Sequence, residues 1–279
     1  MTRRLSTVRL FMLWTAQHVR QTLRNPQATF FTIVFPLLLL VLFSAPNHAA
    51  KVAIDGGEIA FAQFFTPSIA TFATMTSCLT GLVVGLAMER DAGILKRLRG
   101  TPLRPAIYVA ARIADRLIWA AVAVVILFTV SVFAFGVHLY PRLIPAAIVT
   151  FAVGAASFCA LGMAVGTLVP NGTTAIPIVN LIVLPMLFVS GVFSPLTGAP
   201  AWLRDIADVL PLRHMVRAFG GAFSPHTTGL GFAWGDLGAL LAWGAVAALI
   251  AVRRFRWEPS QAGAVRTRIW RRGTALHQA

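Results

Sequence analysis

Residues 88–103 combine charged and apolar side chains with the spacing of a short helix. Ile94, Leu95 and Leu98 fall on one helical face, and a glycine and a proline follow as stop signals. Acidic residues open the segment and basic residues close it, an order that the helix dipole favours. The charged residues are Glu89, Arg90, Asp91, Lys96, Arg97 and Arg99. The pattern predicts an amphipathic helix in a loop, with groups for ion pairing and apolar contact.

A second polar segment, residues 189–216, is rich in proline and separates two apolar stretches. It contains Val189-Ser-Gly-Val-Phe-Ser-Pro195, then Pro200-Ala-Trp-Leu203, then Leu210-Pro-Leu-Arg-His-Met-Val216. Such a segment must be positioned by the apolar helices on either side of it.

Catalytic and nucleotide-binding patterns are absent from the sequence. There is no G-x-x-x-x-G-K-[ST] motif, and the two lysines, Lys51 and Lys96, lie outside Gly-rich loops, which excludes a P-loop. The six histidines lie outside the apolar stretches and lack metal-ligand spacing. Ionisable residues in these stretches lie only near the ends, Asp115 and Asp236 being examples, which disfavours an ion-coupled carrier. We therefore expect no catalysis, metal or cofactor in this chain.

Composition identifies a membrane protein. Of 279 residues, 57% are hydrophobic and 12% are charged, whereas a soluble domain carries about 25% charged residues. A membrane helix needs roughly 20 apolar residues, and uncharged stretches of that order recur along the chain. We predict an all-α polytopic membrane protein whose six transmembrane helices lie near 28–45, 64–87, 107–135, 143–169, 174–195 and 230–252. They form one membrane domain, residues 1–256, followed by a basic tail, residues 257–279.

The charges predict the orientation of the chain. Six spans place both termini on one side, which holds 19 of the 24 Lys and Arg residues but four of the nine acidic residues. The net charge of +15 therefore lies on that side, as the positive-inside rule expects of a cytoplasmic face. We predict a cytoplasmic-membrane protein with both termini inside. Topology and contact with anionic lipids account for the basic charge, so no nucleic-acid partner is expected.

Three local patterns predict further packing. Apolar residues spaced three or four apart in residues 5–24 predict an interfacial helix on the inner leaflet, the alternative being a plain cytosolic extension. The pairs Gly81/Gly85 and Gly162/Gly166 have the spacing that permits close helix approach. Two cysteines, Cys78 and Cys159, fall inside predicted spans and are interpreted as small core residues.

The two polar segments resemble signatures of the permease subunits of ABC-2-type (type V) ABC exporters. In that family an E-R-E-x-G-T-x-E-R-L-R-x-T-P loop follows span two, and an S-G-x-x-x-P…P…P-L-x-H segment precedes span six. The resemblance covers nearly the full chain in length, span count and motif order, and within the family it is nearest to the daunorubicin-resistance drug and lipid exporters. The sequence departs at Asp91, Ile94 and Lys96, where Glu, Thr and Glu are usual.

The resemblance implies a mechanism and two kinds of protein partner. Residues 88–103 would be a coupling loop that enters a groove of a separate ABC ATPase, which binds ATP and Mg²⁺. Two permease subunits, identical or different, would move as two ATPases close. The implied coupling residues are Glu89, Arg90, Asp91, Ile94, Leu95, Arg97, Leu98 and Arg99.

The resemblance also implies an external gate. Residues 195–229 would fold as short re-entrant helices that cap the pathway on the outer side of the membrane. The implied gate residues are Ser190, Gly191, Phe193, Pro195, Trp202, Pro211 and His214.

The expected cargo is a hydrophobic or amphipathic small molecule or lipid that is moved outward. Aromatic and methionine side chains without deep charges would line its pathway, because burying unpaired polar groups costs several kcal/mol. The candidates are Phe35, Phe64, Phe65, Met186 and Phe188, with Phe30 and Phe31 nearby.

Alternatives remain open at each level. The protein could be an energy-independent channel or scaffold, or a membrane-embedded lipid-modifying enzyme. The 88–103 loop could be a basic topogenic loop and residues 189–216 an ordinary amphipathic external loop. Each aromatic side chain, taken singly, could face lipid or pack in the core.

Overall fold

The computed structural model describes residues 6–54, 57–94, 97 and 105–254. Within these residues, nine helices and one hairpin form, and six helices are long and apolar enough to cross a membrane. The helices are α1 (Thr7–Leu23), α2 (Pro26–Ser44), α3 (Phe61–Asp91), α4 (Pro105–Phe135), α5 (Ile144–Leu168), α6 (Gly172–Val189), α7 (Ala201–Val209), α8 (Pro211–Gly221) and α9 (Trp234–Arg254). Short 3₁₀ turns lie at Pro141–Leu143 and Leu196–Gly198. The prediction of an all-α polytopic fold with six spans, α2 to α6 and α9, is confirmed.

Polar residues that precede the apolar stretches cap the helices. The Ser6 side chain accepts a hydrogen bond from the Arg9 amide at 3.3 Å and begins α1. Asn25 begins α2 in the same way, accepting from the Ala28 amide at 3.1 Å, and Asn171 begins α6, accepting from the Thr174 amide at 2.9 Å. These side chains satisfy amides that have no partner within the helix, so the helix boundaries follow from local sequence.

A small antiparallel hairpin, not predicted from the sequence, joins α2 to α3. Strand β1 (Lys51–Ile54) pairs with β2 (Gly57–Ala60), with Val52 opposite Ile59. The signal was an alternating segment interrupted by Asp-Gly-Gly, a typical hairpin turn. We call the end of the bundle that carries this hairpin and residues 190–233 the hairpin end, and the opposite end, where α3 finishes at Asp91, the loop end.

Helix α3 lies at the centre of the bundle. Phe65, Ile69 and Leu82 along its length are fully buried. Both α2 and α3 contain a π-helical turn, at Phe30–Val34 and Thr76–Thr80. At the second turn α5 approaches closely, because a Cβ added to Gly162 would lie 2.8 Å from the Cys78 carbonyl oxygen. The close helix approach predicted for Gly162 is therefore present.

Two predicted boundaries shift. The fifth span ends at Val189 instead of 195, because Ser190 and Gly191 turn the chain. Helix α3 continues to Asp91, so the first charged residues of the 88–103 loop belong to the last turn of a spanning helix. The tail, residues 257–279, lies outside the described residues.

Candidate functional site

A buried polar cluster joins α1, α3 and α4 at the loop end. Tyr108 donates a hydrogen bond to the Glu89 carboxylate, and a terminal nitrogen of Arg112 lies 3.2 Å from the other carboxylate oxygen. The same Arg112 nitrogen donates to Nδ1 of His18 at 3.1 Å. All four side chains are buried, so a charge removed here leaves its partner unpaired in a low-dielectric environment. We call these four residues the loop-end cluster.

A second set of polar contacts continues the cluster along α4. Asp115, fully buried, accepts a hydrogen bond from Nε of Arg116 at 2.8 Å and one from the Thr22 hydroxyl at 3.4 Å. Ser77 in the π-helical turn of α3 donates to the Arg116 carbonyl at 3.0 Å. Helix α1 is therefore fixed to the bundle through Thr22 as well as His18.

Two glycines of α3 make room for the arginines of this site. A Cβ on Gly81 would lie 2.7 Å from the Arg116 guanidinium, and a Cβ on Gly85 would lie 2.9 Å from Cζ of Arg112. The Gly81/Gly85 pair, predicted to permit close helix approach, therefore accommodates two guanidinium groups.

His18 is neutral in this environment. Burial, reinforced by the positive charge of Arg112, lowers the pKa of His18 from 6.5 to about 4. A neutral imidazole is what the geometry requires, because Nδ1 must accept the hydrogen bond from Arg112.

The predicted coupling residues Arg90 and Asp91 bind the turn between α5 and α6. Arg90 donates to the carbonyl oxygens of Val169 at 2.7 Å and Gly166 at 2.9 Å. Asp91 accepts from the Gly172 amide at 2.6 Å, at the N-terminus of α6 where a carboxylate is favourable. Their side chains thus satisfy backbone groups of this chain.

The other predicted coupling residues divide between buried and exposed positions. Glu89 lies in the loop-end cluster, so its carboxylate is engaged within the chain, and half-buried Ile94 packs beside Tyr108. Arg97 is exposed. The remaining three, Leu95, Leu98 and Arg99, lie outside the described residues.

At the hairpin end, the two family-like motifs of residues 189–216, around Gly191 and around His214, lie close together. Gly191 adopts φ +79°, and a Cβ there would lie 3.0 Å from a terminal nitrogen of Arg213. His214 is paired through Nδ1 with Asp236, in the first turn of α9, at 2.8 Å. Gly191 of the predicted gate therefore lies against Arg213, whose chain neighbour His214 is held by α9.

The remaining gate residues have separate surroundings. Ser190 is buried in the turn that follows α6. Pro195 borders the hairpin-end cavity, which is described below, and Pro211 lies in the first turn of α8. Trp202 on α7 is exposed over 62% of its surface. The short helices expected between spans five and six are present as α7 and α8.

An aromatic cluster links the predicted gate to the predicted pathway. The Phe193 ring lies 5.7 Å from Phe43 on α2, 6.4 Å from Phe65 on α3 and 5.7 Å from Phe188 on α6. These centroid distances are within the range of favourable aromatic contact. Two residues assigned to a pathway and one assigned to a gate thus form one contact network.

The other pathway candidates are dispersed. Phe35 packs on Phe72 with centroids 6.2 Å apart, Met186 is buried in the core, and Phe64 borders the hairpin-end cavity. Phe30 and Phe31 are exposed along α2, and Phe188 is exposed over 70% of its surface. The five candidates thus have different surroundings in this single chain, and their role in a pathway stays a prediction.

The hairpin-end cavity has a volume of about 270 Å³. Its walls come from the hairpin, the first turn of α3, the 195–197 turn and α8. Two arginines, Arg213 and Arg217, and one carboxylate, Asp236, border it. Among the residues that the structure describes, no group of three or more His, Cys, Asp or Glu side chains is placed to hold a metal ion.

Sequence reasoning missed most of the loop-end cluster. Arg112 and Arg116 were counted among the charges of the cytoplasmic side, His18 was placed outside the spans and Tyr108 was not singled out, yet all four are buried. The sequence did indicate a shared polar face on α4, since Tyr108, Arg112 and Arg116 are spaced four residues apart.

Comparisons with known proteins agree with this architecture. The family model described as ABC-2 type transporter matches residues 9–223. The chain is 30% identical to a putative transport permease, ycf38, of Cyanophora paradoxa over 207 residues, which cover 70% of this chain and 68% of that protein. It is 22% identical to a probable multidrug ABC transporter permease, YbhR, of Escherichia coli K12, over 76% of this chain and 57% of that protein. It is 23% identical to a putative transport permease, YvfS, of Bacillus subtilis 168, over 70% and 78%.

Proposed function

Because the chain belongs to the ABC-2 type transporter family, we propose that it is the permease subunit of an ATP-driven exporter. A separate ABC ATPase supplies the energy, and the cargo is a hydrophobic or amphipathic small molecule or lipid that moves outward across the cytoplasmic membrane. The loop end faces the cytoplasm in this proposal, and the hairpin end faces the outside.

One observation carries the proposal. The last turn of α3, from which the 88–103 loop emerges, is bonded to the neighbouring helices on several sides. Glu89 binds α4, Arg90 binds the end of α5, and Asp91 binds the start of α6. Force applied to the loop by an ATPase would therefore move α3, α4, α5 and α6 together instead of bending the loop alone.

The amphipathic helix α1 extends this connection. Its exposed apolar residues Val8, Met12 and Leu13 can enter the inner leaflet, while His18 and Thr22 bind α4. In the proposed mechanism, α1 keeps the loop end at a fixed depth in the membrane while the loop transmits movement.

Two permease subunits form the pathway in this proposal. Helices α2 and α6 expose apolar side chains that lipid or a second subunit can cover, among them Leu38, Leu42, Leu181 and Leu184. The name of one relative, a probable multidrug ABC transporter permease, and the uncharged aromatic cluster around Phe193 support an apolar or amphipathic cargo.

Co-purification tests the proposal. The tagged chain, extracted from its native membrane in mild detergent without crosslinker, is expected to retain an ATPase. Leu98→Asp should insert normally but lose that partner, because an unpaired charge in a desolvated contact costs several kcal/mol. Ile206→Asp, which places the same charge on an exposed residue of α7 at the hairpin end, is the control and should retain it. Equal ATPase recovery with Leu98→Asp would contradict the coupling role of the loop.

A further inference from the structure

The hairpin-end cavity combines an apolar wall with an arginine wall. The apolar wall consists of Ile54, Ile59, Phe64, Pro195, Leu196 and Val216. The arginine wall consists of Arg213 and Arg217, one turn apart on α8. A cavity of about 270 Å³ is close to the lower limit for small-molecule sites, which are mostly apolar with a few polar groups that fix orientation.

The two arginines of this wall share two carboxylates, at distances of 3.3 to 3.6 Å. Arg217 lies 3.3 Å from Asp208 and 3.5 Å from Asp236. Asp236 also binds His214, and Asp208 is half-exposed and shared with Arg213. Nε of Arg213 lies 3.6 Å from Asp208, beyond hydrogen-bond distance, and has no hydrogen-bond partner among the described residues.

Arg213 is the most constrained of these groups. Its side chain is only 18% exposed and lies against the backbone of Gly191. Burial and the adjacent Arg217 lower the pKa of Arg213, which means that the cationic form is disfavoured where it sits. An anion beside the two guanidinium groups would reverse that effect.

We propose that this cavity binds an amphipathic anion, with its phosphate, sulfate or carboxylate group against Arg213 and Arg217 and its aromatic or alkyl body against the apolar wall. The planar fork of a guanidinium group can donate to two oxygens of a carboxylate, phosphate or sulfate at once. The identification of the anion as cargo rests on the proposed function, whereas its binding does not. In that function the cavity is a site that cargo occupies before release, and an anionic lipid headgroup has the same chemistry.

Binding to the purified full-length permease, without any ATPase, tests the site. The protein is placed in phosphatidylcholine nanodiscs and titrated with 1-naphthyl phosphate, 1-naphthol and 1-naphthylmethylammonium. We expect the phosphate to bind at least tenfold tighter than the other two, because it alone is attracted by Arg213 and Arg217. A tenfold difference corresponds to about 1.4 kcal/mol. Equal affinity for the three compounds, or no binding, would overturn the site.

Matched variants locate the binding. Arg213→Gln should weaken binding of 1-naphthyl phosphate at least tenfold, whereas Arg204→Gln, which removes the same charge from an exposed residue of α7, should not. If Arg213→Gln is poorly folded, Thr197→Trp serves instead, since it fills the cavity from an exposed lining position and should also abolish binding. Unchanged binding in both Arg213→Gln and Thr197→Trp would place the anion elsewhere.

Nanodiscs of a second lipid composition distinguish a lipid headgroup from a separate cargo as the natural occupant. Discs containing phosphatidylglycerol should abolish 1-naphthyl phosphate binding if a lipid headgroup is the natural occupant, and leave it intact if the occupant is a separate cargo. Failure of the permease to retain an ATPase would refute the proposed function but leave this measurement unaffected, so the two failures are distinguishable.

Discussion

Arg112 and Arg116 lie against α3 at positions where that helix has no side chain. Their guanidinium groups occupy the space beside Gly85 and Gly81, and this space lets Arg112 reach both His18 and Glu89. Buried ion pairs are costly to desolvate and depend on the hydrogen bonds that their groups make, and here Nε of Arg112 and Nε2 of His18 have no partner among the described residues. The glycines are therefore part of the polar site, although they carry no functional group.

Gly85→Ala should destabilise the protein. The added methyl group displaces the Arg112 side chain, which cannot move without breaking its bonds to His18 and Glu89, and overpacking of this kind costs about 1–3 kcal/mol. Gly238→Ala in α9 is the control, because a Cβ there meets no atom within 4 Å and should be neutral or slightly stabilising. Thermal unfolding of the detergent-solubilised protein measures both, and equal melting temperatures would contradict the packing of Arg112 against Gly85.

His18 should make stability depend on pH. With a pKa of about 4 in the folded protein and 6.5 in the unfolded chain, the unfolded state binds a proton between these values and the folded state does not. Stability from this group is thus complete well above pH 6.5 and is lost as the pH falls through 6.5 towards 4, by about 1.4 kcal/mol at pH 5.5. His18→Gln should flatten this part of the melting profile, and an unchanged slope would show that His18 titrates alike in both states.

At the residue scale, the sequence indicated which side chains are unusual but not what they bind. The charges of Glu89, Arg90 and Asp91 marked the 88–103 loop as notable. Their partners lie 19 to 81 residues away along the chain, so local patterning carries no information about them. Asp91, which departs from the family pattern, accepts a hydrogen bond from the Gly172 amide in this structure.

At the scale of elements, the last turn of α3 connects the 88–103 loop to the rest of the bundle. Arg90 fixes this turn to the C-terminus of α5, where carbonyl oxygens have no partner within the helix. Loss of this contact would separate movement of the loop from movement of α5 and α6.

Arg90→Gln should therefore uncouple the transporter while preserving assembly. The variant is expected to retain its ATPase, since the Arg90 side chain binds within the chain, but to lose at least tenfold in cargo transport per ATP hydrolysed. Arg97→Gln removes an equal charge from an exposed position and should leave that ratio unchanged, although it can weaken association. Loss of the ATPase from Arg90→Gln would indicate that Arg90 contacts the partner directly.

Elements were predictable where one local signal dominates. Apolar length predicted the six spans, and Asn25 and Asn171 mark where α2 and α6 begin. The hairpin was missed because its two strands are only four residues each and lie between long apolar stretches. The π-helical turns in α2 and α3 were not predicted from the sequence.

For the molecule as a whole, the asymmetry of charge predicts the orientation in the membrane. Cysteines introduced at Glu58 in the hairpin and Thr197 in the 195–197 turn, both exposed, should react with an impermeant maleimide added to intact cells. Cysteines at Arg99 and Gln261 should be protected until the membrane is permeabilised. Glu58 is preferred to Gly57, where φ is +145° and a Cβ would lie 3.0 Å from the His226 ring. External labelling at position 99 would overturn the orientation.

The most direct test of the account is transport by the reconstituted complex. Proteoliposomes that contain the permease and its co-purified ATPase are supplied with ATP on the loop-end side, and the movement of a fluorescent amphipathic compound and of a soluble glycan is followed. We predict ATP-dependent movement of the amphipathic compound towards the hairpin-end side, abolished by Leu98→Asp. Equal movement with and without ATP would identify an energy-independent channel, and transport confined to the glycan would refute the proposed cargo.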